Sequence, residues 1–228
     1  LDVYYWSMNR GDLKRLSMSG WIGFLEGNNP DYPTEALQRD FGTIRRKVEG
    51  MRQDPTTPDT RLSDDPMPFN PATVSTLIEL MLGGIPPRHA EPLHCRVRYF
   101  DPKKQRAGIP EDVAALVEKL TDDETTLTLV NINQVEDRTV VVQGGAYAEH
   151  QFVSAAIDNE VLPLDNSFFT VRLAPGAGSR IVLKMKRYAN KPYEVEAEEY
   201  NERSADSREP QLRIIRNGFE NGVQQNAE

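Results

Sequence analysis

The stretch that decides the fold is Phe168–Tyr188, FFTVRLAPGAGSRIVLKMKRY. Apolar and polar side chains alternate on both sides of Pro175-Gly176, and a period of two residues is typical of half-buried strands. Gly176 and Gly178 supply the backbone freedom that a tight turn needs, and a strand follows them where a phosphate-binding loop would need a helix. We therefore expect strand, hairpin turn and strand here.

The same period of two residues also occurs before and after this stretch and predicts further strands there. The predicted strands are Leu93–Phe100, Thr126–Ile132, Arg138–Gln143, His150–Ile157, Phe168–Leu173 and Ser179–Tyr188, with Gln211–Arg216 as a last edge strand. Short strands separated by turn residues favour two antiparallel sheets packed face to face. We expect Gly144-Gly145 to mark a strand end or a bulge.

Helical spacing predicts helices before and between these strands. The first predicted helix begins at Pro33-Thr34-Glu35, and its apolar face holds Leu37, Phe41, Ile44, Val48 and Met51. The second begins at Asn70-Pro71 and ends at Gly83-Gly84, with Val74, Leu77, Ile78 and Met81 facing inward. The third runs from Pro110 to Leu120, with Val113, Leu116, Val117 and Leu120 as its apolar face.

The predicted fold class is mixed and mainly β, an antiparallel β-sandwich preceded by a short helical segment. Residues 1–88 form the helical and irregular segment, residues 89–193 the sandwich, and residues 194–228 an acidic tail. Because the chain opens at Leu1 without an initiator methionine or a signal-peptide pattern, we expect an upstream domain of the same protein as its partner.

Composition narrows the function classes. Hydrophobic residues make up 38% of the 228, enough for a core, and the one cysteine, Cys95, excludes an intrachain disulfide. The net charge is −8, and seven acids against two bases crowd residues 194–209. This balance argues against nucleic acid as a partner, and the sequence has no apolar run long enough to predict a membrane-spanning helix.

A proline-rich loop over residues 54–70 holds candidate ligand-binding residues, namely Asp59, Arg61, Asp64 and Asp65. Paired carboxylates serve as acid and base in glycosidic cleavage, and their oxygens also suit hard cations. The alternative is that these aspartates are turn formers that bond the nearby backbone. The sequence lacks the calcium-loop pattern, so we predict no metal site and no cofactor.

The aromatic cluster Tyr4-Tyr5-Trp6, with Trp21 and Phe24, is a second set of candidate ligand-binding residues. Flat aromatic faces suit the C–H faces of sugar rings and also act as hot spots between proteins. The alternative is that these rings are buried against the sandwich or against an upstream domain.

The remaining polar candidates favour structural roles. His94 and Cys95 are neighbours on a strand and point to opposite faces, so they do not share a zinc ion, and Cys95 belongs to the apolar set. We expect His150 to be a hydrogen-bonded structural histidine, and the alternative is a site residue at the rim of the sandwich. The basic stretch is interpreted as a solvated face, with an anionic ligand as the alternative; it comprises Arg96, Arg98, Lys103, Lys104 and Arg106.

Four stretches of the second half resemble the C-terminal β-sandwich domains that follow the catalytic domain in many multidomain glycoside hydrolases. They are TLTLVNI from Thr126, RTVVVQGGAY from Arg138, VRLAPG from Val171 and IVLKMKRY from Ile181. The resemblance implies an accessory domain that braces a catalytic domain and offers aromatic side chains to a carbohydrate.

The resemblance carries no catalytic residue to this chain, and the sequence holds no standard catalytic motif, so we expect this part alone to be non-catalytic. Two alternatives stay open. One is a protein-interaction or assembly module with Tyr4, Tyr5 and Trp6 at its interface. The other is a self-contained hydrolase that uses Asp59, Asp64 and Asp65.

Overall fold

The computed structural model of the protein describes residues 1–57, 59–60, 70–88, 91–158, 160–192, 211–215 and 218–221. These residues form two compact units. One comprises Leu1–Leu16 and the described residues from Ile78 onward, and the other comprises the described part of Ser17–Leu77. This division concerns compactness, and the sequence-based division at residues 88 and 193 stays a prediction.

The helices are α1 (Asp2–Ser7), a 3₁₀ helix (Arg10–Arg15), α2 (Trp21–Leu25), α3 (Tyr32–Gln53) and α4 (Ser75–Leu82). Helix α3 confirms the first predicted helix and has Pro33 in its first turn, where a missing N–H costs nothing. Its predicted inward face is wrong in part, since Phe41 is 57% exposed and Met51 47% exposed. The buried residues of α3 are Tyr32 and Ala36.

Helix α4 begins later than the Asn70-Pro71 pair predicted. The Asn70 side chain accepts the Ala72 N–H at 2.9 Å, so it organises a turn before the helix rather than the helix itself. Its inward face also differs from the prediction, because Val74 and Leu77 are exposed. Thr76 and Leu80 are buried instead.

The strands form two sheets. In chain order they are β1 (Val97–Asp101), β2 (Arg106–Ala107), β3 (Val113–Leu120), β4 (Glu124–Asn131), β5 (Arg138–Gly144), β6 (Gln151–Ile157), β7 (Glu160–Asn166), β8 (Phe168–Leu173), β9 (Gly178–Lys186), β10 (Gln211–Ile215) and β11 (Gly218–Asn221). One sheet has the order β11-β10-β8-β5-β1-β2 and the other β3-β4-β9-β6-β7. All described pairs are antiparallel except β8 with β10. The predicted fold class, mainly β with a helical segment before two sheets, is confirmed.

The predicted third helix is wrong. Residues 113–120 form β3, which pairs antiparallel with β4. The register shifts between Val117 and Lys119, so the chain gains one residue there and both Val117 and Leu120 remain buried. A bulged strand thus places its buried residues at a helix-like spacing, which explains why the sequence pattern was misleading.

The predicted hairpin at Pro175-Gly176 is also wrong. β8 pairs with β5 and β10, whereas β9 pairs with β4 and β6 in the other sheet. The turn at 174–177 therefore carries the chain from one layer to the other, with Gly176 at a φ of 63°. Sequence patterning finds strands, but their partners are set by the packing of the two layers.

Three further parts of the structure differ from the prediction. The pattern around Leu93–Phe100 becomes a strand only at Val97, while His94 makes an isolated bridge with Ile85. β10 lies between β8 and β11, so it is not an edge strand. Sequence analysis missed β2, β7 and β11, and the acidic residues 193–210 lie outside the described part of the chain.

The core lies between the sheets and consists of inward-facing side chains from both. Phe152 of β6 meets Phe169 of β8 edge to face, with ring centroids 5.2 Å apart. Cys95 is buried with this core, and burial raises the pKa of its thiol, so the predicted core role is confirmed. Fully buried members of the core are Leu127, Leu129, Val140, Val142, Val171, Leu173, Ile181 and Leu183.

Candidate functional site

Four rings of the larger compact unit form a row, here called the aromatic row: His94, Trp6, Tyr188 and His150. Trp6 stacks on Tyr188 with centroids 5.0 Å apart and planes 16° from parallel. His94 meets Trp6 edge-on at 4.6 Å, and His150 meets Tyr188 edge-on at 4.8 Å.

The central pair of the aromatic row is open to solvent. Trp6 is 45% exposed and Tyr188 40% exposed. Because parallel rings in contact lie about 3.5 Å apart, a centroid distance of 5.0 Å means that the two rings are offset. Each ring therefore leaves part of a flat face uncovered by the other.

Helix α1 places Trp6 in the row. The Tyr5 hydroxyl donates to the Gly83 carbonyl at 2.9 Å, and Tyr4 and Tyr5 are both buried. Met8 ends the helix in the left-handed conformation, with its N–H donating to the Tyr4 carbonyl. These contacts confirm the buried alternative for Tyr4 and Tyr5, whereas Trp6 points outward.

A charged pair lies beside the rings. Arg187 Nη1 donates to the Trp6 carbonyl at 2.8 Å, and the same guanidinium pairs with the carboxylate of Asp122. The Arg187 side chain is 9% exposed, whereas that of Asp122 is 77% exposed. Arg187 thus holds the backbone of α1, and Asp122 presents acceptor oxygens to solvent next to the rings.

Arg96 lies behind the row and is fully buried. Its Nη1 is 4.0 Å from the sulfur of Met185, and among the described residues its Nε and Nη2 have no hydrogen-bond partner. Burial, together with the nearby Arg187 charge, lowers the pKa of the guanidinium, while the Tyr5 phenol opposes this shift. The predicted solvated basic face is therefore wrong for Arg96, although Lys103, Lys104 and Arg106 are exposed.

His150 is buried beneath Tyr188. Its Nδ1 accepts the backbone N–H of Tyr188 at 3.1 Å. Burial, with the Arg96 and Arg187 charges, lowers the pKa of its imidazole to about 3. The predicted role as a hydrogen-bonded structural histidine is confirmed.

The other predicted site residues do not join the row. Asp59 is exposed, and Arg61, Asp64 and Asp65 lie outside the described residues, so the acidic-loop site stays a prediction. Trp21 and Phe24 belong to the other compact unit, where Trp21 is buried. The sequence-based prediction of the site did not include Asp122, Arg187 or Tyr188. The available signal for the last two was their place at the end of the predicted strand Ser179–Tyr188.

The opposite end of the sandwich carries a hydrogen-bonded loop and an open groove. Asn131 is fully buried, and its amide donates to the carbonyls of Glu136, Leu173 and Ala174 at 2.9 to 3.3 Å. The groove measures about 530 Å³ and is lined by Lys103, Val135, Glu136, Asp137, Arg172, Ala174 and Pro175. Its lining carries both signs of charge, with Arg172 paired to Asp137, so no single ligand charge is favoured.

The described part of the chain also bears on metal binding and on membrane insertion. Within it, no group of three or more His, Cys, Asp or Glu residues could hold a metal ion. No described helix has both the length and the apolar character needed to cross a bilayer. Comparison of the chain with protein-family models, curated proteins and solved structures finds no match in any of the three.

Proposed function

We propose that this chain is an accessory β-sandwich of a carbohydrate-active protein and that it contacts saccharide through Trp6 and Tyr188. The observation that carries the proposal is the exposed, offset stack of these two rings. Uncovered aromatic faces suit the C–H face of a pyranose ring, because stacking there buries apolar area without covering the sugar hydroxyls. The resemblance of residues 126–188 to accessory sandwiches adds to this support.

The charged pair beside the rings supplies the polar half of such a site. The Arg187 guanidinium donates to Asp122 and to the backbone carbonyl of Trp6, so its main role is to hold Trp6 in the aromatic row. The exposed carboxylate of Asp122 is the group that accepts hydrogen bonds from sugar hydroxyls. Hydrogen bonds to a charged acceptor are the stronger ones, so Asp122 contributes orientation as well as affinity.

The partners of two carboxylates near the row support binding without cleavage. Glycoside hydrolysis needs a proton donor and a second carboxylate on opposite sides of the scissile bond. Asp122 is paired with Arg187, and Glu149 is buried with its carboxylate accepting the N–H groups of Ala146 and Tyr147. Both carboxylates are thus already engaged by partners within this chain.

The test uses the fluorescence of Trp6. The chain has two tryptophans, so Trp21→Phe leaves Trp6 as the sole reporter. The protein is titrated with soluble neutral and acidic oligosaccharides, and the same mixtures are analysed for cleavage products. We expect saturable binding and no cleavage products. Trp6→Ala and Tyr188→Ala should each weaken the binding at least about tenfold. The affinity of Trp6→Ala is measured by calorimetry, because this variant lacks the fluorescent reporter.

Val161→Ala is the matched control, because Val161 is 66% exposed on β7, away from the aromatic row, and its truncation should leave the affinity unchanged. The proposal is wrong if no saccharide binds, or if Trp6→Ala binds as tightly as the parent. Cleavage products would exclude the accessory role.

A second candidate function, assembly with further copies of this chain, is favoured by α3. Phe41 and Met51 lie at the two borders of one apolar helix face and are both about half exposed, and exposed apolar faces mark interaction surfaces. Sedimentation of the chain over a range of concentrations tests self-assembly. This candidate predicts an oligomer that Phe41→Glu dissociates, and a monomer at all concentrations excludes self-assembly.

A further inference from the structure

We infer that His150 is a positioning residue for the proposed saccharide site. By accepting the backbone N–H of Tyr188, it holds Tyr188 in the left-handed conformation that stacks the ring on Trp6. This inference rests on the proposed function for its biological meaning, but the geometry that it explains is independent of any ligand.

Tyr188 needs such support because its backbone is unfavourable. Its φ is 54°, in the left-handed region that glycine adopts readily and aromatic residues rarely do. β9 ends at Lys186, so the strand no longer constrains this residue. A strained conformation persists only where the surroundings impose it, and such positions cluster at binding sites.

His150 meets Tyr188 in two ways. The Tyr188 N–H donates to Nδ1 at 3.1 Å, and the two rings pack edge to face with planes 85° apart. One contact fixes the backbone and the other fixes the ring. An unprotonated Nδ1 is required, and the low pKa of the buried imidazole keeps it so near neutral pH.

The adjacent glycines Gly144 and Gly145 hold His150 in turn. The His150 N–H donates to the Gly144 carbonyl at 3.0 Å, and a Cβ on Gly144 would lie 2.6 Å from the His150 carbonyl oxygen. Gly145 has a φ of 85°, and a Cβ there would lie 2.3 Å from the Glu149 carboxylate. The backbone can fold back this tightly only without side chains at both positions.

A chain of contacts therefore links a sequence motif to the exposed rings. Gly144 and Gly145 allow the tight loop, the loop presents Nδ1 of His150, and His150 sets the backbone of Tyr188. Tyr188 then meets Trp6, which α1 brings from the other end of the chain. The same loop is closed on its far side by Asn190, whose N–H donates to the Glu149 carbonyl.

The experiment compares His150→Asn with His150→Leu, both in the Trp21→Phe background. The Asn side chain keeps an acceptor near the position of Nδ1, whereas Leu removes it. Near-ultraviolet circular dichroism and acrylamide quenching report the Trp6–Tyr188 arrangement without any ligand. We expect Asn to retain the parent signal and Leu to lose it, with saccharide affinity falling about tenfold for Leu alone.

Two further variants keep the test decisive. Val142→Ala opens a cavity in the core, so it measures what general destabilisation does to the aromatic signal. If His150→Leu does not fold, His150→Gln replaces it, because the longer amide reaches toward the position of Nε2 and leaves Nδ1 without a counterpart.

The inference is overturned if the acceptor-free variant keeps the Trp6–Tyr188 signal, or if His150→Asn loses as much as that variant does. Absence of saccharide binding in every variant, with the optical difference intact, would overturn the proposed function and leave the positioning role standing.

Discussion

The guanidinium of Arg96 lies beneath the ring of Tyr5, with its Cζ 5.6 Å from the ring centroid. A cation over an aromatic face is attracted by the ring quadrupole, and more so when water is excluded. Arg96 is nevertheless fully buried with two nitrogens that have no hydrogen-bond partner among the described residues. This relationship joins α1 to the sandwich but leaves a buried charge poorly compensated.

Replacing Arg96 by Met should therefore leave the free energy of unfolding unchanged or raise it, by up to about 2 kcal/mol. The methionine retains the apolar stem and removes the unpaired donors. Chemical denaturation at neutral pH measures the change. Arg180→Met is the control, since Arg180 is exposed and ion-paired with Glu118, and it should change stability by under about 0.5 kcal/mol. If Arg96→Met lowered the free energy of unfolding by more than about 0.5 kcal/mol, the guanidinium would be stabilised by contacts beyond those described.

Gly144→Ala should destabilise the protein by about 2 kcal/mol or more, because the added methyl group would meet the His150 backbone at 2.6 Å. Backbone cannot move aside as a flexible side chain can. Gly20→Ala is the matched control, as its Cβ would have nothing within 4 Å. Thermal unfolding of both variants provides the comparison, and equal midpoints would contradict the tight loop.

Asn131→Asp should cost about 3 kcal/mol or more at neutral pH, because the change exchanges an amide donor for a carboxylate oxygen. That oxygen would face the carbonyls of Glu136, Leu173 and Ala174, which now accept from the amide. The loss should shrink in acid, where a protonated carboxyl can donate again. Asn28→Asp at an exposed turn serves as the control, and similar losses for both variants would remove the buried network as the cause.

Acid should destabilise the protein through His150. Its folded pKa is about 3 against 6.5 when exposed, so only the unfolded chain binds a proton at this residue between those values. The contribution of His150 to the free energy of unfolding is complete above pH 6.5 and decreases as the pH falls toward 3. By pH 5 the loss is about 2 kcal/mol. Arg96 and Arg187 face the imidazole and oppose its protonation, whereas the backbone at Glu149 favours it.

Stability curves for the parent and for His150→Asn, measured from pH 7.5 to 4, test this sign. The variant lacks the titrating ring, so its stability should fall less steeply over that range. Carboxylates titrate in both proteins, so their contributions cancel when one stability curve is subtracted from the other. Parallel curves would show that His150 is protonated in the folded state as easily as in the unfolded chain.

Sequence patterning predicted the strands of the sandwich well, for a physical reason. A strand with one face on a core must alternate, so β4, β5, β6, β8 and β9 could each be recognised locally. β3 could not, because its bulge gives buried residues a helical spacing. β7 carries Pro163 and has few buried residues at the edge of its sheet, so its alternation is weak.

The candidate site was predicted only in part. The chemistry of its ring predicts Trp6 as a contact residue, and Trp6 is exposed as a contact residue must be. Its partners Tyr188 and His150 come from positions far along the chain, and no local pattern indicates that they meet. The Gly144-Gly145 pair predicted a strand end, but its consequence for His150 depends on the loop that folds back over it.

The sequence by itself determined which segments can be strands, because the alternation of apolar side chains is a local property that any single buried face imposes. It also determined where the backbone can turn tightly, through its glycines. Only the tertiary structure decided which strands are neighbours, that the Pro175-Gly176 turn crosses between layers, and that Trp6 stacks on Tyr188. Those features depend on how two sheets and one helix share a core, and the free energy of that packing is a property of the whole assembly of side chains.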